Sequence, residues 1–73
     1  MTIKLLRGEG TWKVIGDELL SEASDLGWAA LDALLLAEQQ GTTVELGEGV
    51  PEDALELGRE RLDALEYTRR RSR

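Results

Sequence analysis

Ser21, Ser24, Lys4, Lys13 and fifteen carboxylates are the first candidates for chemistry in this chain, which has no histidine and no cysteine. Nucleophilic catalysis needs a hydroxyl, thiol or amine beside a group that takes its proton. Ser21 and Ser24 have only carboxylates near them in sequence, and the two lysines sit in a short β-patterned segment where an exposed amine keeps its charge. Without histidine the commonest general base and metal ligand is missing, and without cysteine neither a thiolate site nor a disulfide framework can form. A non-enzymatic role follows, with no catalytic residue, no cofactor and no metal ligand assigned.

The carboxylates raise the question of a hard-cation site or a paired-acid hydrolase. Glu45 and Glu48 flank a turn but lack the spaced Asp and Asn ligands of a calcium loop, and Glu18, Glu22, Asp25 and Asp32 spread along the sequence rather than converge. Gly8-Glu9-Gly10 and Gly47-Glu48-Gly49 each put a carboxylate where a phosphate would lie, so they read as turns.

Charge is segregated along the chain. Met1 to Lys13 carries +2, Arg59 to Arg73 carries +3, and Val14 to Gly58 carries −11 with no Lys or Arg, giving the net −6. Such a field repels nucleic acid and anionic lipid and attracts basic surfaces. Arg69-Arg70-Arg71-Ser72-Arg73 is the one basic cluster; it complements a helix C-terminus and forms a short tail, with weak nucleic-acid contact as its other reading. No apolar run is long enough to span a membrane and no signal-peptide pattern opens the chain, so the expected address is cytoplasmic.

The elements that must position these residues follow from periodicity. Thr2 to Ile15 predicts a hairpin around Arg7-Gly8-Glu9-Gly10, with Leu5 opposite Trp12, Ile3 opposite Val14, and Lys4 and Lys13 on the other side. Asp17 to Gln40 predicts a helix capped by Asp17 and closed by Gly41. Its core arc of about 140° holds Leu19, Leu20, Ala23, Leu26, Gly27, Ala30, Leu31, Leu34 and Ala37. Thr42 to Leu46 predicts a third strand, and Pro51 opens a second helix.

The expected fold is α+β, a β-β-α-β-α two-layer sandwich with a three-stranded sheet and two helices on one face. Residues 1–68 form the single domain and 69–73 the basic tail. The second strand, first helix and third strand make its crossover unit.

On that first helix, Glu18, Glu22, Asp25 and Asp32 form an acidic stripe, and Trp28, Leu35 and Leu36 project on the same side. A Trp with a Leu seven residues on, ringed by carboxylates, has the composition of a docking hot spot. Glu18, Glu22, Asp25, Trp28, Asp32 and Leu35 are therefore the partner-binding candidates. The alternative is a break at Gly27, with Trp28, Leu31 and Leu35 lining the inner face of a separate segment capped by Ser24 or Asp25. Leu34-Leu35-Leu36 spans too wide an arc for one sheet to cover, so the second helix, a loop, a second copy or another partner must cover part of it.

Gly41-Thr42-Thr43-Val44-Glu45-Leu46 followed by Pro51-Glu52-Asp53-Ala54-Leu55-Glu56 resembles the closing strand and helix of the phosphocarrier proteins of the sugar phosphotransferase system. The phosphorylated histidine of that family has no counterpart here, so its activity is not implied. The functional expectation is a small interaction module, a regulator or inhibitor that binds a basic surface such as a nucleic-acid-binding groove. A homodimeric or larger structural or adaptor protein is the alternative.

Overall fold

The computed structural model describes residues 2–71, with residues 67–71 described as backbone. The architecture is α+β. Strands β1 (Ile3–Arg7), β2 (Trp12–Ile15) and β3 (Leu19–Ala23) precede α1 (Leu26–Gln40), and β4 (Val44–Leu46) precedes α2 (Ala54–Arg71). The sheet therefore has four strands among the described residues, not three, in the order β3-β2-β1-β4. β1 pairs antiparallel with β2, β2 antiparallel with β3, and β1 parallel with β4.

The hairpin joins Leu5 to Val14 and Arg7 to Trp12, one pair away from the expected register. A slip of two residues leaves every side chain on its face. Ile3, Leu5 and Val14 thus point to the core and Lys4 and Lys13 to the open side, as the pattern required. The turn is closed by the Gly8 amide donating to the Thr11 carbonyl at 2.8 Å, and Gly10 supplies the left-handed residue with φ 71°.

The largest correction concerns Asp17 to Ala23, which form a turn and a strand rather than the first turns of a helix. Leu, Glu and Ala are good helix formers, but a two-stranded ribbon is marginal alone and the free edge of β2 offers this segment a ladder. Tertiary pairing overrides propensity. The ladder is shifted at Val14/Ile15, where a bulge lets Ile15 meet Leu19 while Val14 meets Ser21. The crossover to β4 consequently leaves from β3.

Asp25, not Asp17, caps α1. Its extended backbone precedes the helix and its carboxylate accepts from the Trp28 amide at 3.1 Å, while Gly41 at φ 67° closes the other end. The break near Gly27 left open by the sequence thus lies just before it. Ala29, Ala30, Ala33 and Ala37 are buried, and their small side chains let α1 lie close across Ile3, Leu5 and Val14. Those three large side chains, withdrawn completely from water, contribute roughly 2 kcal/mol each.

α2 begins at Ala54, three residues after Pro51, because the Ala54 amide donates to the Pro51 carbonyl in a preceding turn. It packs chiefly on α1 rather than beside it on the sheet: α1 lies against every strand, and α2 joins the core beneath through Ala54 at its start. Gly58 makes this possible, since a Cβ there would lie 2.7 Å from the Ala30 carbonyl carbon. Leu34 faces α2 across a groove shared with Leu55 and Leu62, and Leu36 packs toward the sheet, so the leucine run is divided between two neighbours.

Candidate docking surface

The six candidate residues do not form one helical stripe. Glu18 is exposed in the β2–β3 turn, where its carbonyl accepts from the Gly16 amide, and Glu22 is on β3. Asp25, Trp28, Asp32 and Leu35 belong to the cap and outer side of α1. What joins the two groups is a hydrogen bond of 2.8 Å from Ser21 Oγ on β3 to Asp32 Oδ2 on α1. β3 and the outer side of α1 are thereby neighbours, but the candidates do not share one face: Glu22 pairs with Lys13 on the open side of the sheet, while Trp28 and Asp32 belong to the helix layer.

Nor is the acidic field unneutralised. Lys13 Nζ lies 3.9 Å from Glu22 across the β2–β3 ladder, and Arg61 Nη2 lies 3.2 Å from Asp25. Both cations come from outside the Lys- and Arg-free stretch. Folding brings together charges that the sequence keeps apart: β2 beside β3, and α2 against the start of α1. Each pair is about half exposed, so each contributes at most about 1 kcal/mol.

Arg61 does more than pair. Its guanidinium carbon stands 5.1 Å from the centroid of the Trp28 ring, a cation–π contact that fixes the ring against α2 while leaving part of it in water. Gly27 makes room for it, because a Cβ there would come within 2.9 Å of Arg61 Nε. Arg61 also centres a row on α2, with Leu57 one turn before and Leu65 one turn after.

The described surface has four exposed large apolar residues: Leu19 at 55%, Trp28 at 43%, Leu57 at 37% and Leu65 at 44%. Three of them gather around Arg61. Leu35 lies two turns beyond Trp28 on the same side of α1 and is half-buried. Leu57, Arg61 and Leu65 were not among the sequence candidates. The signal available for them was the spacing of four, which is ambiguous until the packed face of α2 is known.

Among the described residues no three carboxylates converge as a metal site requires, and no helix is long and apolar enough to cross a membrane. The side chains of the arginine cluster at Arg69–Arg73, and with them the nucleic-acid reading, lie outside the described residues. No family model, curated protein or solved structure matches this chain. The segments that resemble the phosphocarrier proteins are present as a strand and a helix, β4 and α2, and no comparison extends that likeness.

Proposed function

We propose that this chain is a small non-enzymatic binding module, a regulator or inhibitor, that docks a basic surface of a partner protein on the flank formed by β3, the outer side of α1 and the α1–α2 seam. The observation that carries this reading is the gathering of Trp28, Leu57 and Leu65 around Arg61, with Asp25 paired to that guanidinium and Asp32 one helical turn beyond Trp28. Tryptophan and arginine are the residues most enriched where binding energy concentrates, and a carboxylate border steers basic partners to them. Arg61 holds the indole in one orientation before binding, which reduces the ordering the partner must drive.

Self-association is the second reading, favoured by one feature. α2 continues past Arg61, which lies against the first turn of α1, so Leu65 lies beyond the end of its own neighbour. Capture from a lysate of the source cells by the immobilised chain, compared with a Trp28→Ala variant of unchanged circular dichroism and repeated at high salt, tests the proposal. Retention of one basic protein that fails with Trp28→Ala and weakens with salt supports it. Equal retention by the variant overturns it.

A further inference from the structure

β3 is an outer strand, paired with β2 on one side and with no strand on the other among the described residues. α1 covers its face, with the Ser21–Asp32 hydrogen bond as the tie, but does not pair with its edge. Leu19, at one end of this edge, is the most exposed large apolar residue described. Such an edge is a template for another strand unless something discourages it.

The charges around it select which strand. Asp17 and Glu18 precede β3, Glu22 lies on it and Asp25 follows it. Asp17 and Glu18 make no ion pair among the described residues, and Glu22 is met only by Lys13 at 3.9 Å. Edge-to-edge pairing of two copies would set these acids against one another, so a second copy is disfavoured here. The opposite edge offers no such selection. β4 has three residues, and the groove of about 410 Å³ beside it carries both Glu38 and Arg59.

We infer that β3 accepts an extended, lysine- or arginine-rich segment of the partner as an added strand. Main-chain hydrogen bonds fix its direction and register, while its alternate basic side chains face Glu18 and Glu22. The inference rests on the proposed docking of a basic partner and adds the way in which that partner is held.

The probe is a short peptide alternating lysine and valine, with a lysine–alanine peptide of equal length and charge, which favours helix, as control. Amide exchange and chemical shifts of the full chain are followed by NMR at low salt. The alternating peptide is expected to slow exchange within Leu19–Ala23 and the control is not; Glu18→Gln and Glu22→Gln each weaken binding by about threefold. Equal binding by both peptides, protection at Val44–Leu46 instead, indifference to both glutamate variants, or self-pairing of the free chain through β3 overturns the inference. Repeating the titration with Trp28→Ala separates the two levels. Protection of β3 that survives in that variant upholds strand addition even if docking at the seam fails, and no peptide binding beside persistent Trp28-dependent capture removes strand addition alone.

Discussion

Arg61 of α2 lies over the Trp28 ring of α1 and reaches the Asp25 carboxylate that caps the same helix, at 5.1 Å and 3.2 Å respectively. One side chain therefore links the cap, the aromatic ring and the second helix. Replacing Arg61 by Ala removes an exposed cation–π contact and a half-exposed ion pair, for an expected loss of about 1 kcal/mol in denaturant unfolding. Arg61→Lys keeps the charge but not the planar stacking surface, so it restores only part of the loss. Asp25→Ala also removes the cap and is expected to cost about 1 kcal/mol on that account. A double-mutant cycle between positions 25 and 61 separates the two contributions.

Gly27 and Gly58 are both buried at the α1–α2 contact, yet they respond differently to an added methyl group. At Gly58 the new Cβ meets the Ala30 backbone and Cβ at 2.7 Å, and backbone cannot step aside. Gly58→Ala is expected to destabilise by about 1–2 kcal/mol after its gain in helix propensity. At Gly27 the nearest atom is Arg61 Nε at 2.9 Å, on a flexible side chain. Gly27→Ala is expected to change stability by less than about 1 kcal/mol, because the propensity gain offsets the displaced contact. The shift of the Trp28 indole proton in NMR spectra reports that displacement, and an unmoved resonance would contradict it.

The Ser21–Asp32 hydrogen bond is the described side-chain tie between β3 and α1, and Asp32 is half-buried. Ser21→Ala leaves its carboxylate short of a donor and is expected to lower stability by about 1–2 kcal/mol. Ser21→Thr keeps the hydroxyl and suits a strand, so the loss should be smaller. Thermal unfolding of the two variants side by side checks this. Equal losses would mean that packing around Ser21 matters and its hydroxyl does not.

These relationships also mark how far the sequence could be read. The faces of the hairpin were legible because Lys4 and Lys13 cannot share a side with Ile3, Leu5 and Val14 in any buried ribbon. The pairing was not, since a two-residue slip preserves those faces. β3 was illegible because Leu19 to Ala23 has no β-branched residue and fits a helical arc equally well; only the free edge of β2 decides for a strand. The exposure of Trp28 was not legible, since its spacing to Leu35 puts the two on one side of a helix whether that side meets water or core. Nor was Arg61 as its companion, because the contact depends on where α2 lies, and Gly58 against Ala30 determines that.

Leu57 and Leu65 distinguish a docking surface from leftover core. Both are exposed in the chain alone, and glutamine matches leucine closely in helix propensity, so the double variant Leu57→Gln with Leu65→Gln is expected to change unfolding free energy by no more than about 0.5 kcal/mol per site. A loss well above about 1 kcal/mol in total would place these side chains in the fold's own packing. With stability preserved, sedimentation at low micromolar concentration assigns the surface. If the parent chain sediments as a monomer and the variant loses retention of the partner, the row serves another protein. If the parent chain sediments as a larger species that the variant dissociates, the row joins two copies of this one, and Leu65 beyond the end of α1 is its centre.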